Sequence, residues 1–579
     1  MGTTTSGITS VFYNLILILL FFLLPNAAFS EDADQLEKLF ELKEEPKSSI
    51  DSVLPELTDR ITSDEQLREP FEPKTIEVLG STVYTDNDLE PLYTPYLHRT
   101  ATREHLRDLT EKIIGKYETD GYPYTQVTVE PSDTSTVEPS DTSDGTMRII
   151  IREAYIDNIV IQGEVKDEKG RFARLIEQIK TMRPIYKPDF ERYLLLANDL
   201  AGVYKVKAKI QASEKDSGAY TLILQFMPWK TALGFVSLNN RGKEGVGPVI
   251  VVPGVIVSNP LGYFGKSTIM AASTPKTKEL HFVSAEHELP LNDKGTKLKL
   301  KASYTISYPS TAAAKAMDVN SRSLTLSFGI DHSFIRTQRK NFTGYGKLDV
   351  KYADRRMRLF EKFSEDKMRI LRVGGDFDYA DSTNAITRLQ LKWSRGLSGL
   401  GSGSVHNPWV ANNNDGIVDF NKVTYSLSRT QPLEFISPKL EKWSAYGAIE
   451  GQISADPLLS GEECTVGGRY FGRAYDSSEI AGENCISASI ELRRDIGASP
   501  IEWLPASLGY LFYDIGKAEQ KGNPINQTDR SLSSLGIGLT FQIPPHVSVS
   551  MEVAKPLTKE VTDEGNRNLR AFASILALF

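Results

Sequence analysis

Arg469 and Arg473 stand in a stretch dense in glycine and aromatics, Thr465-Val-Gly-Gly-Arg-Tyr-Phe-Gly-Arg-Ala-Tyr-Asp-Ser-Ser-Glu-Ile-Ala-Gly-Glu-Asn484. It reads as a long hairpin loop between alternating strands, and a passive loop has no use for a tightly turned arginine tip. Further on, Phe512-Tyr-Asp-Ile-Gly516 puts a carboxylate, Asp514, on a strand. Strict alternation groups Asp514 with Leu508, Tyr510 and Phe512, and sets Gly509, Leu511, Tyr513 and Ile515 on the opposite face. Leu511 and Ile515 suit lipid, so Asp514 faces inward. An arginine on an in-folded loop can meet it there in a short, bidentate pair. Such a pair holds a loop in register more than it stabilises, because buried pairs contribute little net. The competing reading is two unrelated charges in a polar interior.

Hydrolytic, metal and nucleotide chemistry find no support. The sequence has no Gly-x-Ser-x-Gly elbow, no His-Glu-x-x-His and no phosphate loop. Its seven histidines are scattered, and His281 with His287 lacks a third ligand. Gly396-Leu-Ser-Gly-Leu-Gly-Ser-Gly-Ser404 follows strand-like Leu389-Gln-Leu-Lys-Trp393 and leads to the polar turn Asn412-Asn-Asn-Asp-Gly416, so it reads as an extended loop. No catalytic residue, metal or cofactor is expected. A net charge of −8, with no basic aromatic cluster, excludes nucleic acid as a partner. The two cysteines, Cys464 and Cys485, bracket the arginine loop. In an exported protein such a pair reads as a disulfide, the alternative being two free thiols.

These residues need a wall to sit on, and residues 228–579 supply its pattern. Leu298, Leu300, Ala302, Tyr304 and Ile306 alternate with Lys297, Lys299, Lys301, Ser303 and Thr305. Leu535, Ile537, Leu539 and Phe541 alternate with Ser534, Gly536, Gly538 and Thr540. Such a dyad without an apolar helix marks a transmembrane β-barrel, lipid outside and water inside. A soluble sandwich is the alternative, but it does not account for a last strand, Leu569 to Phe579, that ends on an aromatic. Phe572, Leu576 and Leu578 blur the alternation there. At about ten residues per tilted strand plus turns and loops, the segment holds about sixteen antiparallel strands.

Ahead of the barrel, residues 74–153 and 154–227 repeat one order, strand–helix–helix–strand–strand. Their opening strands, Thr75-Ile-Glu-Val-Leu-Gly80 and Tyr155-Ile-Asp-Asn-Ile-Val-Ile-Gln-Gly163, echo each other, and Tyr122 to Val129 reads as a strand of the first unit. A polar octamer repeated over 129–144 reads as a loop. Small sheets with a free edge can accept an extended strand from another chain. Residues 31–73 are acidic and proline-spaced, with helix-like spacing from Asp34 to Glu45 that gives a short surface helix on a linker. Residues 1–30 read as a signal peptide: an apolar run from Leu15 to Leu24, then Ala28-Phe-Ser30, although no Lys or Arg precedes the run. An uncleaved anchor is disfavoured because the run is shorter than the ~20 residues needed to span a bilayer.

Phe471-Gly-Arg-Ala-Tyr-Asp-Ser-Ser-Glu-Ile-Ala-Gly482 resembles the long sixth-loop motif of two-partner secretion transporters, the hemolysin-activator and filamentous-hemagglutinin transporter branch of the Omp85 superfamily. On that alignment Arg473, followed by the aromatic Tyr475, is the motif arginine rather than Arg469, and Ala474 stands where glycine is usual. Phe512, Asp514 and Gly516 resemble the family's Phe-x-Asp-x-Gly strand motif. Both α+β units resemble POTRA domains, with Gly121-Tyr122 matching their Gly-Tyr turn, and Phe579 resembles the aromatic of the outer-membrane assembly signal. The resemblance implies a sixteen-stranded barrel in a Gram-negative outer membrane, two POTRA domains in the periplasm, and an N-terminal helix plugging the pore. It implies capture of an unfolded, large secreted exoprotein, adhesin- or hemolysin-like, and its passage through the barrel. Outer-membrane lipid and the barrel assembly machinery are the other implied partners. A barrel assembly factor of the same superfamily is the alternative, but such factors carry three or more POTRA units.

Overall fold

The computed structural model describes residues 33, 36, 37, 40, 46–48 and 72–579, apart from 132–144, 214–217, 277, 311–317, 358–359, 407–415, 498–505, 522–529 and 544–545. The segment read as a signal peptide, the second octamer and most of the acidic linker lie outside the described residues.

The first α+β unit runs β1 (Thr75–Leu79), α1 (Asp86–Tyr93), α2 (Arg103–Thr119), β2 (Gln126–Pro131) and β3 (Thr146–Arg152). The second runs β4 (Tyr155–Gln162), α3 (Arg171–Lys180), α4 (Lys187–Asn198), β5 (Val203–Ala212) and β6 (Ala219–Pro228). In each sheet the last strand is central, parallel to the first and antiparallel to the middle one, so the two units share a topology. Thr102 caps α2 by accepting from the His105 N–H. Leu106, Leu109, Ile113 and Tyr117, at helical spacing, then bury against Met147, Ile149 and Ile151 at strand spacing. The second core repeats this with Phe172, Ile176, Phe190 and Leu194 over Leu222 and Leu224.

Tyr122 is not in a strand. The Thr125 N–H bonds the Tyr122 carbonyl at 3.3 Å, closing a turn that delays β2 to Gln126. Tyr124 leaves its own sheet and packs edge-on to Phe190 in the second core, ring centroids 6.1 Å apart. Burial across the domain boundary outweighs the strand propensity of the segment.

A barrel of 16 long antiparallel strands follows, from Ala232–Asn239 to Arg570–Leu578. It closes by pairing last strand to first, Ser574 opposite Asn239 through Leu578 opposite Phe235. Phe579 and Gly234 exchange N–H···O bonds of 2.9 Å in both directions, and the Phe579 ring lies where a Cβ on Gly234 would stand. Gly403–His406 adds a short strand against Ser364–Lys367, so the glycine-rich run expected to be loop throughout ends in a ladder.

The dyad explains the wall. Phe328, Ile330, Ile490, Leu511, Ile515 and Ile537 are exposed on its outside, whereas Ser303, Ser323, Ser489 and Ser534 are buried on its inside. Among the described residues no helix is long and apolar enough to cross a membrane, and the strands supply the crossing. Phe572, which blurs the last strand's alternation, is buried on the lumenal side, with the guanidinium carbons of Arg241 and Arg570 4.1 and 5.2 Å from its ring centroid. A ring facing two guanidiniums is a cation–π site, so an aromatic there does not need lipid.

The second α+β unit is fastened to the short turns of the barrel. Arg336 grips Asp199 with Nε at 2.7 Å and Nη2 at 2.8 Å. Arg192 donates to the carbonyls of Lys294, Ser333 and Phe334 at 2.9, 2.7 and 3.2 Å. This places the α+β region beneath the short-turn end of the barrel, the periplasmic end of outer-membrane barrels.

Candidate functional site

The loop between the strands Trp443–Ser454 and Asn484–Gly497 folds into the lumen. Its neck is a two-stranded ribbon, Cys464–Val466 against Ile480–Gly482. Cys464 and Cys485 are joined by a disulfide, Cα atoms 6.2 Å apart, which ties the neck to the wall strand Asn484–Gly497. Gly467, Gly468 and Gly472 have φ of 113°, 109° and 68°, a left-handed region that favours glycine, and they turn the tip. Ala474, at the position where glycine was expected, does not have positive φ, so its methyl carries no backbone strain.

Arg473 is 4% exposed, whereas Arg469 is exposed. The Arg473 backbone N–H and Nε donate to Asp514 Oδ2 at 2.9 and 3.0 Å, and Nη2 donates to Oδ1 at 2.8 Å. Nη1 donates to Glu491 Oε1 at 2.7 Å, and Nη2 to Ser489 Oγ at 2.9 Å. Ser489 and Ser534, cross-strand neighbours of Asp514 on either side, donate to its carboxylate at 2.8 and 3.3 Å. The Phe512 ring lies under the guanidinium, 3.5 Å from centroid to Cζ. Arg241 donates to the Arg473 carbonyl at 3.2 Å and pairs with Glu552.

The strand motif has a division of labour. Phe512, Asp514 and Gly516 are at period two and therefore share the lumenal face. Phe512 stacks on the guanidinium and Asp514 binds its fork. A Cβ on Gly516 would come within 2.4 Å of Val466 Cγ1 in the loop ribbon, so glycine there lets the loop lie on the wall. Gly536 likewise leaves room for the Phe512 ring, with a Cβ contact of 2.4 Å to Cζ.

Beyond Arg473 the loop continues along the wall. Tyr475, 1% exposed, has its hydroxyl 3.0 Å from the Lys559 carbonyl and accepts from the Lys559 N–H at 3.2 Å. Asp476 pairs with Arg570 at 2.7 Å, and Glu479 pairs with Lys559. Near the loop's other end Glu462, 2% exposed, meets Lys351, Arg372 and Lys422 at 3.0, 2.9 and 2.8 Å. Glu462 and Glu491 were not singled out from sequence. Glu491 carries a weak signal, since it shares a period-two face with Ser489 and Ser487, but its partner depends on strand register.

Part of the lumenal wall carries the described N-terminal residues. Ala33, Leu36 and Glu37 are helical. Leu36 and Phe40 pack against Val246, Ile250, Ala272, Leu280 and Phe282, with Phe40 and Phe282 stacked at 4.5 Å. Glu37 accepts from the Ser303 and Thr325 hydroxyls, the latter at 2.9 Å, and lies 3.6 Å from Lys301. The Ser48 N–H donates to Asp378 at 2.8 Å. These contacts are ion pairs, hydrogen bonds and packing between the wall and what lies on it.

Residues 220–541, more than half of the chain, match the family described as haemolysin secretion/activation protein ShlB/FhaC/HecB, and residues 71–153 match the ShlB-type POTRA domain. The heme/hemopexin transporter protein HuxB of Haemophilus influenzae strain 86-028NP is 23% identical over 495 residues, 83% of this chain and 82% of that one. CdiB from Escherichia coli superposes with a TM-score of 0.71 at 18% identity, and CdiB from Acinetobacter baumannii with 0.64 at 15%, each covering 100% of both chains. At those identities the structural likeness is one of fold. The chain belongs to the haemolysin secretion/activation family: it is a two-partner secretion transporter, an outer-membrane barrel with its POTRA region in the periplasm, and its work is the secretion of a partner exoprotein.

Proposed function

We propose that residues 74–153 and 154–227 act as POTRA 1 and POTRA 2, capturing an unfolded exoprotein, and that the barrel, residues 228–579, carries it outward. Residues 31–73 supply the pore plug and linker, and residues 1–30 the export signal. A free sheet edge gives the capture step a backbone-to-backbone mode with little demand on passenger sequence. The sequence carries no phosphate-loop motif, and in this reading folding of the passenger outside supplies the direction of transport. Arg473 with Asp514 is the loop latch, Phe512 and Gly516 seat it, and Tyr475 extends it. Phe579, closing the seam, is the segment presented to the barrel assembly machinery, and the outward apolar belt is the lipid contact.

The observation that carries this reading is a lumenal wall on which, among the described residues, the loop 455–483 is fastened by buried ion pairs and the N-terminal residues rest mainly on the apolar side chains Leu36 and Phe40. A pore that must admit a polypeptide needs a piece that can leave. Comparing the proteomes of culture supernatant and outer membrane, with and without this chain, tests it. Loss of one large exoprotein with other barrels unchanged is the expected result. Depletion of several barrel proteins would favour the assembly-factor alternative instead.

A further inference from the structure

The loop's base carries a buried charge cluster as dense as the one at its tip and of the opposite sense. Glu462 Oε1 and Oε2 accept from Arg372 Nη2 and Nη1 at 2.9 and 3.1 Å, and from Lys351 and Lys422 at 3.0 and 2.8 Å. Its backbone carbonyl accepts from Lys422 Nζ at 2.6 Å and from Gln452 Nε2 at 3.1 Å. Arg372 also donates to Asp349 at 2.5 Å and to Ser394 at 2.9 Å. Lys351, Arg372 and Lys422 stand on the strands Lys340–Met357, Phe360–Ala380 and Asn421–Pro432, on the far side of the loop's own hairpin from Asp514.

The wall is thus charged in two patches. One is acidic, from Glu491, Asp514 and Glu552, offset in part by Arg493 on Glu491 and Arg241 on Glu552, and receives Arg473. The other is basic, from Lys351, Arg372 and Lys422, with Asp349 also paired to Arg372, and receives Glu462. We infer that Glu462 is a second fastening point, a positioning residue that holds the base of the loop on the wall and, with Arg473, sets which way round the loop lies. Reversed docking would set Glu462 against the acidic patch and Arg473 against the basic one, and like charges brought together without solvent are costly. Lifting the base would break all four contacts that Lys351, Arg372 and Lys422 make with the Glu462 carboxylate, so the loop does not swing out when the tip alone lets go. This rests on the reading of the loop as a latched pore element.

The test uses the full-length transporter with Glu462→Gln, Asp514→Asn and both together. Each is assayed for heat-modifiable folded barrel, for channel openings in planar bilayers without passenger, and for secretion. Because two points hold one loop, each single variant raises openings modestly, and the double variant raises them by about tenfold more than the product of the singles. Secretion falls in the same order. Unchanged openings in Glu462→Gln, with the double variant no worse than Asp514→Asn, would overturn the inference. Openings that rise while secretion stays at the parental level would uphold the fastening and overturn the transport role of the loop, which keeps the two readings apart. Should Glu462→Gln not assemble, Glu462→Asp, which keeps the charge and shortens the reach, is put through the same assays with the same criteria.

Discussion

Among the described residues two parts of the chain lie on the inside of this barrel, and the contacts that dominate in each are of different kinds. The loop from residue 455 to 483 is fastened by Glu462, Arg473, Asp476 and Glu479, each in an ion pair with a wall or neighbouring-loop residue. The described N-terminal residues rest mainly on Leu36 and Phe40 against apolar wall side chains, with one carboxylate, Glu37, between two hydroxyls and 3.6 Å from Lys301, and one backbone bond from Ser48 to Asp378. Buried ion pairs are directional and cost several kcal/mol to break from one side, whereas apolar contacts are non-directional and release piecemeal. The difference separates the part that defines the lumen from the part that fills it.

The comparison fails if the two parts respond alike to loss of their main contact. The largest effect belongs to Arg473→Ala, which takes the bidentate cation from buried Asp514 and leaves Glu491 to Arg493, at a cost of about 3–5 kcal/mol. Secretion is expected to be lost while folded barrel persists, both read from the same culture by immunoblot. Arg473→Lys sharpens the point, because an ammonium cannot span both Asp514 oxygens and lie flat on Phe512. A loss of about 1.5–3 kcal/mol is expected there, and secretion should be intermediate between parent and Arg473→Ala. Phe40→Ala removes the stacked ring and about 1.5–3 kcal/mol of burial from the other part. Its expected signature is the reverse: more frequent channel openings in a planar bilayer, with secretion retained. Smallest is the pair Cys464→Ser with Cys485→Ser. A bridge over this short loop is worth up to about 3 kcal/mol by chain entropy, but the ribbon from Cys464 to Val466 still pairs with Ile480 to Gly482, so secretion should change by less than about twofold.

Much of the barrel is legible in the sequence because lipid and water impose opposite demands on alternate residues. Leu298 to Ile306 shows this, where Leu298, Leu300 and Ala302 meet Ile330, Phe328 and Leu326 across the strand pair. The same alternation points Asp514 inward. It cannot say which inward charges meet, since that depends on register between strands far apart in the chain. Glu462 and Arg372 are separated by 90 residues and come together only when the loop lies across the lumen. Phe572 and Tyr124 mislead for a related reason: each is an aromatic recruited by a distant partner, two arginines for one and Phe190 for the other.

The most direct measurement is secretion by Arg473→Ala at parental abundance of folded, heat-modifiable barrel in the outer membrane. The account expects the exoprotein to disappear from the medium. Full secretion by that variant would contradict it, because a loop that works without its buried arginine is not held by Asp514 in any way that matters to transport.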